Sequence, residues 1–63
     1  MVIVKVTFTD WNGQEHQREV TSDKCPSLAQ KDREEEIIYT AICYIKRRYT
    51  EWVSVDAVEI IAR

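Results

Sequence analysis

The chain has 63 residues, of which 44% are hydrophobic and 32% charged, and its formal net charge at pH 7 is −2. A chain of this length predicts a single domain over 1–63, which buries only about 60% of the surface that the unfolded chain exposes. The mild negative charge repels phosphate, so nucleic-acid binding would require a local basic patch. No apolar run approaches the roughly 20 residues that a membrane helix needs, so we expect no membrane contact.

The first ten residues, MVIVKVTFTD, predict a β-strand. Apolar side chains recur at every second position, which is typical of a strand with one buried face; they are Val2, Val4, Val6 and Phe8. The segment has neither the continuous apolar stretch nor the small-residue cleavage site of a signal peptide. We therefore expect a cytoplasmic protein whose two cysteines remain free thiols.

The sequence DWNG, residues 10–13, predicts a hairpin turn. Asp at its first position and Gly at its fourth suit a type I turn that closes a three-residue loop through a bulge; the alternative is a two-residue turn on Asn12 and Gly13. The longer loop places Val20 opposite Val4 and lets the Arg18 stem lie along apolar surface, so we favour that register. The second strand is unusually polar, which indicates an edge strand.

A helix is predicted to follow, with its start between Ser27 and Asp32. Ser27 with Gln30 and Asp32 with Glu35 each have the spacing of a capping box, and both alternatives remain open. From residue 37 the apolar side chains recur at helical spacing and span about 160° of the helical wheel. They are Ile37, Ile38, Ala41, Ile42, Tyr44, Ile45 and Tyr49.

The closing segment 52–62 is rich in β-branched residues and predicts a third strand. Its alternation changes parity near Asp56, which indicates either a bulge or a strand that is apolar on both faces. The order β-β-α-β favours an α+β fold with an antiparallel sheet in the order 2-1-3 and the helix on one face. The opposite face would expose Ile3 and one parity of strand three, so we expect a homodimer.

Basic and aromatic residues stand together near the end of the helix, in AICYIKRRYTEW. This combination is typical of surfaces that grip phosphates and stack bases. The same helix opens with DREEE, however, and acids at the start with bases at the end are also favoured by the helix dipole, by about 0.3 to 1 kcal/mol per charge. Nucleic-acid binding is therefore the alternative hypothesis, with the contacts Lys46, Arg47, Arg48 and Tyr44.

Residues for catalysis or metal binding are few. His16 is the only histidine, which excludes a two-histidine metal site, and a single glycine excludes a Gly-rich phosphate loop. A Cys–His dyad would need thiol and imidazole within hydrogen-bonding reach, yet Cys25 is predicted in a connector and Cys43 on the polar side of the helix. We expect no enzyme activity, no cofactor and no metal, and we expect His16 at the surface of its strand.

Trp11 at the hairpin tip is the most unusual residue. It either folds over the open edge of the core or is presented to a partner, and both interpretations remain open. The short chain without motifs resembles, in size, the accessory proteins common on phages and other mobile elements. We expect a small non-catalytic protein-interaction module, of adaptor or inhibitor type, that self-associates. Its candidate protein contacts are Trp11, Tyr39 and Trp52.

Overall fold

The computed structural model of the protein describes residues 1–50 and 52–63, with side chains at 1–50 and 54–63. Its elements are β1 (Ile3–Asp10), β2 (Glu15–Thr21), a short 3-10 helix (Pro26–Gln30), α1 (Glu34–Arg48) and β3 (Trp52–Ala62). The strands form an antiparallel sheet in the order β2-β1-β3, and α1 packs on one face of it. The predicted α+β fold, strand order and position of the helix are confirmed.

The β1–β2 hairpin has the register that a three-residue loop predicts, with Val4 opposite Val20. The backbone N–H of Gly13 donates to the carbonyl of Asp10 at 3.1 Å, and the N–H of Asp10 donates to the carbonyl of Gln14 at 2.9 Å. Gly13 has φ +80°, a left-handed conformation that glycine adopts at little cost. The turn thus closes through a bulge at Gly13.

The hydrophobic core lies between α1 and the sheet. Its buried members in the described chain are Val4, Val6, Phe8, Val20, Leu28, Ile37, Ala41 and Ile45. The three helical members are spaced four residues apart and form one stripe, which confirms the predicted apolar face. The small side chain of Ala41, at the centre of this stripe, leaves room for the helix to lie close to the strands.

The start of α1 differs from the prediction. No capping box forms in the described chain, neither at Ser27 with Gln30 nor at Asp32 with Glu35. The residues of the first pair lie in the 3-10 helix, after which the chain becomes extended before α1 begins. The N-cap position therefore falls on Arg33, whose side chain has no oxygen that could accept from the first helical N–H groups.

β3 pairs with β1 along its length but with shifts in register. The consecutive β1 residues Thr7 and Phe8 pair with Ala57 and Val55, so that Asp56 is an extra residue between them. An extra residue of this kind is a β-bulge, and it reverses the side on which later side chains point. The bulge predicted near Asp56 is confirmed, and the apolar residues before and after it both contact the core.

The sheet face that α1 leaves uncovered is polar. Lys5 lies at its centre, flanked by Glu19 on β2 and Glu59 on β3. Ile3 is half-buried instead of exposed. The expectation of an apolar uncovered face holds only for Ala57 and Ile61, which are exposed, because the bulge at Asp56 turns Val55, Val58 and Ile60 toward the core.

Candidate functional site

The turn, the end of α1 and the start of β3 meet at one end of the molecule. Trp52, the first residue of β3, pairs with Asp10, the last residue of β1. Tyr49, directly after α1, has its ring centroid 5.7 Å from that of Phe8. We call this region, made of residues 8–18 and 48–50, the hairpin end.

The candidate protein contacts are divided between the hairpin end and the helix. Trp11 stands on the turn and is 75% exposed, which excludes the interpretation that it covers the core. Tyr39 is also exposed, as its predicted position away from the apolar face requires, but it lies in the amino-terminal half of α1. The backbone of Trp52 pairs with Asp10 of the hairpin end, whereas its side chain lies outside the described residues.

Asp10 is buried at the base of the turn. Its Oδ1 accepts hydrogen bonds from the backbone N–H groups of Asn12 and Gln14, both at 2.9 Å. Its Oδ2 lies 2.8 Å from Nε2 of His16. The hydrogen bond with His16, followed by that from Gln14, holds the pKa of the Asp10 carboxyl below its ordinary value of 3.8. Both oxygens are thus engaged, and the backbone is held on either side of Trp11.

His16 is not the surface residue that we predicted. Its ring stacks on Phe8 with centroids 5.4 Å apart, and its side chain is 30% exposed. The signal was present in the sequence, because the favoured register already set His16 opposite Phe8, and Asp10 continues the even-numbered series of β1 that faces the core. What the sequence analysis missed was that these two polar residues satisfy each other.

A cavity of about 320 Å³ opens beside this pair. Two arginines line it from different elements, Arg18 from β2 and Arg48 from the end of α1. The guanidinium carbon of Arg18 lies 5.5 Å from the ring centroid of Tyr49, and that of Arg48 lies 5.4 Å from the centroid of Tyr44. The structure thereby brings two arginines and an imidazole to one cavity. Of these three residues, only Arg48 was a predicted nucleic-acid contact.

The other predicted nucleic-acid contacts are not gathered at this cavity. Lys46 and Arg47 are exposed on the last turn of α1, and Arg47 lines a second groove. Tyr44 is half-buried against the core, so that it serves as a support for Arg48. Successive residues of a helix point about 100° apart, and three neighbouring basic residues therefore cannot share one direction.

The second groove, of about 220 Å³, contains both cysteines. Cys25 and Cys43 are free thiols that line it together with Tyr39. A hydrogen bond between the hydroxyl of Tyr39 and the thiol of Cys43 raises the pKa of the tyrosine above its ordinary value of 10.0. His16 lines the other cavity, so the described structure does not bring imidazole and thiol together.

Comparison with known proteins adds no relative. No family model matches the chain, and no curated protein or solved structure matches it. Among the described residues, no group of three or more His, Cys, Asp or Glu side chains could hold a metal ion. Nor does the described part of the chain contain a helix long and apolar enough to cross a bilayer. Function is therefore inferred from the chemistry of the hairpin end.

Asp10→Asn is expected to remove a pH-dependent part of the stability. Because folding lowers the pKa of Asp10, the stabilisation is fully present above the unfolded value near 3.8 and is lost as pH falls through the folded value. Urea unfolding of the wild type, measured from about pH 7 to about pH 2, should show this loss. Asp10→Asn should be less stable at neutral pH and should decline less on acidification.

The matched control is Asp23→Asn, at an exposed aspartate in the turn after β2, which should follow the wild-type curve. Coincident pH profiles of the wild type and Asp10→Asn would show that the carboxylate does not hold the turn.

Proposed function

We propose that the chain is a small non-catalytic protein-interaction module, of adaptor or inhibitor type, that binds its partner through the hairpin end. The exposure of Trp11 carries this proposal, since a tryptophan that is 75% exposed buries little of its large apolar surface in the free protein. Tryptophan is strongly enriched among the residues that contribute most to the affinity of protein interfaces. The partner is expected to offer an apolar pocket of matching size.

The rigidity of the turn supports the same proposal. Binding costs about 0.5 to 1.5 kcal/mol for each flexible side chain that becomes ordered, and more when a loop must be ordered as well. Here the backbone around Trp11 is already held by the carboxylate of Asp10 and by the closing bond from Gly13. Arginine and tyrosine, the other two residue types enriched at such interfaces, are also present at the hairpin end, as Arg18 and Tyr49.

We further propose a cytoplasmic location, in which the free thiols of Cys25 and Cys43 persist in a reducing environment. The small size of the chain, which it shares with accessory proteins of phages and other mobile elements, is consistent with an inhibitor or adaptor. Tyr39 remains a second candidate contact on a different surface.

Trp11→Ala is expected to weaken partner binding by roughly 30-fold or more, as for a central interface residue. Immobilised wild-type protein and the variant are compared as baits in lysate of the source cells, and affinities are then measured with the purified partner. The free energy of unfolding should change by less than about 0.5 kcal/mol, because the side chain is exposed.

Tyr39→Ala removes a similarly exposed aromatic side chain from α1 and tests the other candidate contact. A partner that binds Trp11→Ala as tightly as the wild type, or that is lost only with Tyr39→Ala, would contradict the proposed role of the hairpin end.

We also propose that the protein forms a homodimer, through the outer edge of β3. The uncovered sheet face is too polar for this role, whereas β3 is an 11-residue edge strand whose second edge has no neighbour in the strand order. An open strand edge favours pairing with another strand, and a domain this small gains from further burial. Ile61, 50% exposed, adds apolar surface on this strand.

Light scattering coupled to size-exclusion chromatography should report twice the 7.5 kDa chain mass at micromolar concentration. Ile61→Lys should shift the protein to the monomer, because a charged side chain on an edge strand opposes strand addition. Ala29→Lys, which adds the same charge at an exposed position of the 3-10 helix, should leave the dimer intact. A monomer at every accessible concentration would eliminate the dimer.

Nucleic-acid binding is the second candidate function. One observation favours it: Arg48, a predicted contact, shares its cavity with Arg18 and His16, so the basic surface extends beyond the helix. Lys46 and Arg47 are exposed beside it on the same turn. These groups could contact several phosphates in spite of the net charge of −2.

Fluorescence anisotropy of labelled single- and double-stranded DNA and RNA, at about 50 mM and 200 mM salt, tests this candidate. Binding should be saturable and should fall steeply at the higher salt. The triple variant K46A/R47A/R48A should abolish it, whereas K24A/K31A/R33A, which removes the same charge elsewhere, should not. If no nucleic acid binds at the lower salt, the basic residues only stabilise the helix end.

A further inference from the structure

The cavity at the hairpin end is lined by two arginines, Arg18 and Arg48, whose side chains are exposed. The guanidinium carbon of Arg18 lies 5.5 Å from the ring centroid of Tyr49, which lines the same cavity. That of Arg48 lies 5.4 Å from the ring centroid of Tyr44, which lines the second groove. A cation–π contact of this kind favours the position of the guanidinium over the ring, and its N–H groups remain donors for a ligand. Arg18 uses one of its five donors on the carbonyl of Gln17, at 2.8 Å.

The charges of the lining favour an anion. Two arginines and one aspartate leave a net charge of +1. The carboxylate of Asp10 already accepts three hydrogen bonds, so it offers little to a cation. The carboxyl end of α1 contributes about −0.5 charge, which is smaller than the positive sum.

The shape of the cavity indicates more than a bare ion. Its volume of about 320 Å³ lies at the lower end of small-molecule sites, which run from roughly 300 to 1,000 Å³. Phe8, His16 and Tyr49 form an aromatic wall with ring centroids 5.4 and 5.7 Å apart, in which Phe8 is buried and His16 and Tyr49 provide the accessible surface. A flat ring of a ligand can stack or pack on such a wall.

A phosphate fits the donors better than a carboxylate does. A planar carboxylate is satisfied by one guanidinium in a bidentate pair. A phosphate monoester carries about −1.5 to −2 charge at pH 7 and three acceptor oxygens, so it can accept from donors that arrive from two directions. Arg18 and Arg48 come from different elements, and His16 and the hydroxyl of Thr50 also line the cavity.

We infer that the cavity binds a phosphate monoester attached to a flat ring, with the phosphate between Arg18 and Arg48 and the ring on the aromatic wall. A mononucleotide has this chemistry, and so does the 5′-phosphorylated end of a nucleic-acid strand. The site does not depend on the protein contact of Trp11, which is not among the described residues that line the cavity.

Isothermal titration calorimetry with AMP, adenosine and inorganic phosphate tests the site. AMP should bind saturably with one equivalent per chain, and inorganic phosphate should compete with it. Adenosine, which lacks the phosphate, should bind at least about tenfold more weakly, because it forms no charge-assisted hydrogen bonds. A 5′-phosphorylated oligonucleotide is compared with its unphosphorylated form to distinguish a strand end from a free nucleotide as the source of the phosphate.

Arg18→Gln and Arg48→Gln should each lower the affinity for AMP by roughly tenfold or more. Arg48→Lys, which keeps the charge but loses the planar fork, should lose less. Arg33→Gln, at an exposed arginine at the other end of α1, should bind as the wild type does. Urea unfolding of each variant verifies that the fold is retained, and Arg48→Lys keeps the test valid if a glutamine variant unfolds.

Three outcomes would overturn the inference. The first is no binding of AMP, inorganic phosphate or the 5′-phosphorylated oligonucleotide at millimolar concentration. The second is equal affinity for AMP and adenosine, and the third is an equal loss in Arg33→Gln and Arg18→Gln. Trp11→Ala should retain AMP binding, so failure of this site and failure of the protein contact are distinguished by separate variants.

Discussion

The carboxylate of Asp10 organises the hairpin end through hydrogen bonds that run in two directions. Toward the turn, two backbone N–H groups donate to it, and this holds the backbone that carries Trp11. Toward β2, its bond to His16 orients an imidazole that stacks on Phe8 and forms a wall of the cavity. The carboxylate is tolerated in a buried position because all these bonds satisfy it. The exposed aromatic side chain and the polar cavity therefore share one structural origin.

Patterns of short range predict most of this fold. Alternation in β1 identifies its buried face, and the residues of DWNG identify the loop, which together determine the pairing of Val4 with Val20. The change of parity in the last segment locates the bulge at Asp56. The start of α1 could not be predicted in this way. Capping residues were available at two places in the sequence, yet the N-cap position of the folded helix is Arg33.

The candidate site was harder to predict than the fold because it depends on residues distant in sequence. Arg18 and Arg48 are 30 positions apart and line one cavity only because α1 packs on the sheet. Conversely, Arg47 and Arg48 are adjacent in sequence yet line different cavities. Clustering along the chain therefore predicted that Arg47 and Arg48 would act together, which the structure does not show. It did not predict that Arg18 and Arg48 line one cavity. The exposure of Trp11 could not be predicted from the sequence either, because a large aromatic residue suits both a cover over the core and a contact with a partner.

The two edges of the sheet differ in a way that limits assembly. β2 presents a short, charged edge that includes Arg18 and Glu19, whereas β3 presents a longer and more apolar one. A sheet in which only one edge can pair with another strand can add one neighbour, related to it by a two-fold axis. After that pairing, neither copy has an edge that can pair further. Growth into a fibre needs two receptive edges on each copy. The association that we propose through β3 would therefore stop at two copies.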